Sequence, residues 1–542
     1  MLYACVALPL VLRGHGQTLE QSPLADACFL QLQTNVSASE TVEIVGHAFD
    51  LNSSAGSGNF ATPARVYRLA KPLEPHAPRV IGSFLIFVAC ACAALWAAEI
   101  CGISCASCAC AESGRRAGQF AYLATSLLIS VSHSLLLTVS LPLSAELGFS
   151  AAASGVLSSC PCLGGLLAQC LVIFARALLA QSFRGMRFGV ALGLFLQAMA
   201  YVGFVLALWL PQVSNVSTTL VFALLVGFRS LGGFFGALAN LSASWLAFEM
   251  TPSQELMDLQ TANQACFGLG HCLGAVTSSL ALVFLFHLSG MEQSSEIEAG
   301  AAPAMLFIAL NVLLLAVVML FVPRELEAGL QAECKKAAPE PSETLTLNES
   351  DQQVVFRTGV IYNIERSFSV GGIEVATTMI SEVEFGFSPL TTGWIFGFIA
   401  LASAVTNIMV AFSPAKIDSR SHMMLFQAGV GVLMSPFILD WWPWWSLYVA
   451  DVLIMTLTNT ANGIADGLVI MGVGPQGQGV SRQSYVNLKM LSMGAARLLA
   501  APFVRGTVDT LGRNGYGVMQ LLITLMGFCS IWKMHGIVSR KC

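Results

Sequence analysis

Unbroken apolar runs of about 20 residues recur along this chain, and that is the length an α-helix needs to cross a bilayer. They read as twelve spans, near 120–143, 151–175, 186–210, 218–246, 261–287, 303–323, 355–382, 391–412, 423–440, 445–471, 485–504 and 516–534. Backbone groups in a bilayer find no water, so only helices or a closed barrel can span it. The runs show no two-residue alternation, which excludes the strands of about ten residues that build barrels. Composition agrees. Only 11% of the 542 residues are charged, against roughly 25% in an ordinary soluble protein. The expected fold class is therefore all-α, a polytopic membrane protein.

A polar stretch rich in Glu, Lys, Pro and Ser separates the sixth and seventh spans. It reads as a flexible linker over 324–354. The expected domains are a six-helix bundle over 118–323, the linker, a second bundle over 355–535, and a short tail over 536–542. Basic residues orient this layout. Of the 26 lysines and arginines, sixteen fall in the linker-side loops or at the span ends beside them, Arg187 and Lys489 among them. Two, Arg505 and Arg513, fall in the opposite loops; Arg229, Arg366 and Arg497 lie inside spans, and the remaining five precede residue 80. That bias places the linker and the tail in the cytoplasm.

Residues 80–102 form a further apolar run, expected to be an extra N-terminal span. Residues 1–79 would then lie outside the cytoplasm, where Asn35-Val-Ser and Asn52-Ser-Ser are candidate glycosylation sites. The 16 cysteines form no disulfide framework; most sit in or beside apolar runs, where free cysteine behaves as a small hydrophobe. The CxxC at Cys105 and Cys108 lacks further ligands for a metal.

Several stretches resemble the major facilitator superfamily. In the fourth span, Arg229, Gly233 and Ala237 stand at the R-x3-G-x3-A spacing of that family's fourth helix. "LAQSFRGMR" keeps Arg184, Gly185 and Arg187 of the basic loop motif but has Gln181 or Ser182 where an acid is usual. "TPSQELM" is similar to T-x-x-x-E-R, with Leu256 for the arginine. "GLGHCLGA" keeps Gly270 and Gly274, while Ala275 replaces the proline of the drug antiporters. Gly474, Pro475, Gln476 and Gly477, followed by Ala496 and Arg497, resemble the lysosomal members linked to ceroid lipofuscinosis, although Gln478 replaces their Thr and Ala501-Pro502 their Gly-Pro. Glu374, fourteen residues before Ser388, looks like that group and like SPX-type vacuolar phosphate transporters. The resemblance implies two six-helix halves with a solute site between them near the midplane, and a vacuolar or lysosomal membrane, with the plasma membrane as the alternative.

Charges inside a membrane cost at least a few kcal/mol and are functional candidates by default. Arg229 either binds an anion in a cavity or braces a helix pair. Arg366 and Glu374 are eight apart and share a helix face, a solute-binding cation and a titratable carboxylate on one wall; Glu365 is their neighbour. Arg497 is a ligand, a gate or a structural ion pair. Asp451, Asn459, Asn462 and Asp466 line one face of the tenth span, which should look into water or protein. His133 and His271 read as single, satisfied core residues. Trp441, Trp442, Trp444 and Trp445 mark a membrane interface.

The candidate pathway is thus Arg229, Arg366, Glu374, Arg497, Asp451, Asn459 and Asp466. The expected function is secondary active or facilitative transport of a small anionic solute by alternating access, with proton coupling through Glu374. An anion channel on the same scaffold and a non-transporting receptor or scaffold are the alternatives. No nucleophile–base pair, nucleotide loop or metal cluster appears, so neither enzymatic activity, cofactor nor metal is expected. Expected partners are membrane lipid, the solute and protons, with no nucleic acid, and the chain is expected to act as a monomer.

Overall fold

A computed structural model describes residues 111–179, 183–213, 216–251, 255–289, 296–322, 347–413, 416–472 and 482–541. The run at 80–102, Asn35, Asn52, the cysteine-rich turn at 101–110 and the loop at 474–478 fall outside them.

The first half comprises α1 (Ala111–Ser134), which resumes as a short helix (Ser140–Glu146), then α2 (Ala151–Leu179), α3 (Phe183–Val213), α4 (Thr218–Met250), α5 (Leu256–Ser289) and α6 (Glu296–Phe321). The second comprises α7 (Glu349–Val383), α8 (Pro389–Phe412), α9 (Ile417–Met434), α10 (Trp444–Gly472) and a helix over Arg482–Val538. Gly512, at φ 63° and ψ −159°, breaks that last helix into α11 (482–511) and α12 (513–538). Only glycine takes such a backbone readily. Among the described residues there is no strand.

Side-chain caps set several starts. Ser217 accepts from Leu220 N, Asn348 from Asp351 N at 2.7 Å, and Ser388 from Thr391 N. Asn348, with Glu349 and Asp351 in the first turn, starts α7 six residues earlier than the sequence reading, inside the stretch read as linker. At the other end α12 runs on to Val538, into the stretch read as tail.

Contacts repeat between the halves. α1 packs on α4 and α5, α2 on α4, and α3 on α4 and α6; α7 packs on α10 and the α11–α12 unit, α8 on α10, and α9 on α10 and that unit. Adding six to each number maps the first set onto the second. The halves meet through α5 with α8 and through α2 with α11, again a related pair. Such a repeat places the axis, and any shared site, at the centre.

Seven described helical stretches are long and apolar enough to cross a membrane, one of them covering α11 and α12 together. α1, α5, α7 and α10 are more polar because they are enclosed by other helices: α7 is buried throughout 369–381 and α10 throughout 458–470. The lipid side is apolar, with Phe398, Met409 and Phe426 exposed by 67%, 68% and 69%. Cys160 and Cys162 are buried, whereas Cys170 is exposed among these apolar residues.

Several basic residues counted with the loops lie buried in helices. Arg187 is buried and donates to Met319 O at 2.7 Å; Lys489 is buried against Asp466. Arg505 and Arg513 are buried in α11 and α12. Loop boundaries read from hydropathy stop at the last apolar residue, and a helix that carries a paired charge runs past it.

Close helix approach depends on missing side chains. A Cβ on Gly164 would lie 1.7 Å from Ser230 O, and one on Gly233 would lie 2.0 Å from Pro161 O. Both obstacles are backbone, so α2 and α4 would have to separate. Gly164→Ala is expected to cost more than the roughly 1–3 kcal/mol of ordinary overpacking and to remove most monodisperse protein in fluorescence-detected size exclusion. Wild-type yield would refute this close contact.

Candidate functional site

Four helices related by the internal repeat, α1 with α7 and α5 with α11, each bring one titratable side chain to the centre of the molecule. Arg497 on α11 donates from Nη2 to Glu374 Oε1 on α7 at 2.6 Å and to His271 Nε2 on α5 at 3.0 Å. Its Nη1 donates to His133 Nδ1 on α1 at 2.8 Å. A guanidinium has only donors, so each imidazole offers it a lone pair. His133 then carries its proton on Nε2, which faces Cys162 Sγ at 3.8 Å. His271 carries its proton on Nδ1, which has no hydrogen-bond partner. The guanidinium therefore bridges His271 and Glu374, which stand 3.3 Å apart. Glu374 and Arg497 are each 6% exposed.

Beside this tetrad lie three cavities with common walls. One, with about 580 Å³ of empty volume, is lined by Ser132, His133, Gln169, Gln197, Phe267, Met493 and Arg497 among others. A second, of about 390 Å³, is lined by Gln260, Asn263, Gln264, Phe267, Lys489 and Met493 among others. The third, of about 300 Å³, touches Glu374, His133 and Arg497. Both halves contribute to every one.

The tetrad's surroundings are bridged on either side. Toward the linker, Lys489 pairs with Asp466, which also accepts from Tyr485 OH at 2.6 Å and Asn363 Nδ2 at 2.9 Å. Lys489 Nζ reaches across to Gln260 Oε1 on α5 at 3.4 Å. At the linker-side ends of α9 and α5, Arg420 pairs with Asp258 at 2.9 Å. Toward the other end, Arg505 on α11 donates to Ser140 Oγ at 3.0 Å and to Ser154.

The remaining sequence candidates divide by position. Glu374 is paired with Arg497, not with Arg366 eight positions back on its own helix. Arg366 donates to Asn459 Oδ1 at 2.7 Å and to Gln264 Oε1 at 2.9 Å, and lies 5.4 Å from the Phe267 ring centroid. Its neighbour Glu365 points to Gly527 on α12, away from the cavities. The polar face of α10 looks into protein: Asp451 meets Thr377 and Tyr516, Asn459 meets Arg366, and Asn462 and Asp466 bond to each other at 3.1 Å. Arg229 donates to Ser132 O at 3.1 Å, beside the break in α1, and lines none of the three cavities. That is a bracing position.

His133 and His271, read from the sequence as single core residues, are both ligands of Arg497. Lys489 and the carboxamides of α2, α3 and α5 went unremarked as site residues. Their signal was present in the sequence as polar residues at helical spacing, Gln260, Asn263 and Gln264, inside an apolar run.

No family model and no curated protein matches the sequence. Solved structures do match. A proton:xylose symporter of the major facilitator superfamily, solved with 6-bromo-6-deoxy-D-glucose, aligns with a TM-score of 0.55 at 15% identity, over 79% of this chain and 97% of that one. A D-xylose-proton symporter aligns with a TM-score of 0.54 at 15% identity, over 77% of this chain and 96% of that one. The chain is a multi-pass membrane protein with the major facilitator fold.

Proposed function

We propose that this chain is a secondary transporter that carries a small anionic solute by alternating access, together with a proton. The Arg497–Glu374 pair carries this reading. It is buried at the interface of the halves, beside cavities that both halves line. While Glu374 is ionised it holds the guanidinium. When Glu374 takes a proton, only neutral imidazoles remain on Arg497, and its donors can turn to an anion. Solute and proton then load together. Arg497, rather than Arg366, is the solute-binding cation, because Arg497 lines two of the cavities and Arg366 lines none of the three.

The bridges at the two ends supply the gates. Arg420–Asp258 and Lys489–Gln260 join the halves on the linker side, and Arg505 with Ser140 and Ser154 joins them on the other. Rocking about the central site needs one set to open while the other holds. The linker side is taken as cytoplasmic, so tags at residue 335 and at the C-terminus should be shielded together in sealed cells.

The test is uptake into vesicles reconstituted with the purified protein, against anions, amino acids and sugars, with and without an inward proton gradient. At least one anion should accumulate, and faster with the gradient. Discrete unitary currents, or no accumulation of any solute, would overturn the reading.

A further inference from the structure

The cavity walls are chemically divided. Every lysine, arginine, aspartate or glutamate that lines them belongs to the second half: Lys489, Arg497 and Glu374. The first half offers carboxamides instead, and five of them hold a buried polar atom without a hydrogen-bond partner: Gln169 Oε1, Gln197 Nε2, Gln260 Nε2, Asn263 Oδ1 and Gln264 Nε2. Each of these side chains is at least 95% buried. They come from three helices, α2, α3 and α5, so no single helix accounts for the set. Gly236 gives the Gln197 amide its room, since a Cβ there would lie 2.5 Å from Nε2.

A buried polar atom left unpaired costs about 1–3 kcal/mol. Five around one pair of neighbouring cavities make a surface shaped for a ligand with several hydroxyl groups, which both donate and accept. The two cavities share Phe267, Met490 and Met493 as a wall, and methionine side chains yield easily.

We infer that the solute is a small polyhydroxylated carboxylic acid, its carboxylate on Arg497 and its hydroxyls on the carboxamides of the first half. This rests on the transporter reading above and narrows it. An inorganic anion would use Arg497 and leave the carboxamides idle. A neutral sugar would use the carboxamides and leave Arg497 with Glu374.

The experiment is uptake of labelled D-gluconate and D-glucuronate into vesicles holding the full chain, beside inorganic phosphate, succinate and D-glucose. One or both sugar acids should enter and should not be displaced by equal concentrations of the other three. Gln197→Met and Asn263→Leu should each raise the half-saturating concentration for the sugar acid roughly tenfold, the effect of one lost hydrogen bond with its partner left unpaired. Phosphate, succinate or glucose entering as well as the sugar acids would overturn the inference while leaving the transporter reading intact. So would unchanged saturation in both variants. No entry of any solute in the wider panel would instead overturn the transporter reading itself. If either variant yields no folded protein, displacement on the wild type decides the matter alone.

Discussion

Glu374→Gln should keep solute exchange and lose its acceleration by a proton gradient. The substitution retains shape and an acceptor oxygen, so Arg497 Nη2, now 2.6 Å from Glu374 Oε1, still has a partner. What disappears is the choice between a charged and a neutral state. Arg497 is then permanently available to an anion, as though the proton were always loaded. Exchange of internal for external solute needs no net proton movement and should continue. Net uptake driven by an imposed gradient should fall to the rate without one. Glu374→Asp keeps a titratable carboxyl on a shorter arm, so coupling should persist with a displaced pH profile. If Glu374 were only a structural partner of Arg497, the Gln variant would lower yield and leave the pH response of the surviving protein unchanged. Uptake against pH, normalised to folded protein, separates the two.

The spans were legible in the sequence because lipid imposes length and apolarity on each helix separately. A close helix approach on α4 was legible too, since Gly233 and Ala237 sit at a spacing that leaves one helix face bare; that α2 fills it was not. Some of the buried charges were also readable, Arg229, Arg366, Glu374 and Arg497 among them. Their pairing was not. Arg497 and Glu374 are 123 residues apart on two helices of the same half, and no periodicity links one helix to another. Helical-face reasoning finds neighbours on the same helix, and so it joined Glu374 to Arg366. The histidines were opaque for the same reason: each stands alone on its own helix, and only the tertiary arrangement gives both to one guanidinium. Lys489 was hidden differently. It lies within one turn of the apolar boundary, where a paired ammonium and a loop lysine look alike in sequence.

The cost of breaking the central pair should depend strongly on which partner is removed. Truncating one member of a buried ion pair typically costs about 3–5 kcal/mol, because the other charge is left uncompensated. The two survivors are not equivalent here. After Arg497→Met, Glu374 can take up a proton and become neutral, which relieves much of the cost. After Glu374→Leu, Arg497 cannot shed its charge, since guanidinium does not deprotonate in proteins. His133 and His271 still accept two of its N–H groups, but they bring no negative charge. Glu374→Leu should therefore lower the melting temperature and detergent-solubilised yield more than Arg497→Met does. The double variant, Glu374→Leu with Arg497→Met, removes both charges and should recover stability to near or above the better single variant, as apolar replacements of buried pairs often do. Proton-driven net uptake should be absent in all three, because each lacks either the cation for the anion or the carboxyl for the proton. Thermal unfolding and uptake on the same preparations give both readouts. Equal destabilisation by the two single changes, with no recovery in the double, would mean that the pair is not isolated from other charges, and that Arg366 or Lys489 compensates Glu374 from a distance. Transport surviving in Arg497→Met would remove Arg497 from the solute site altogether.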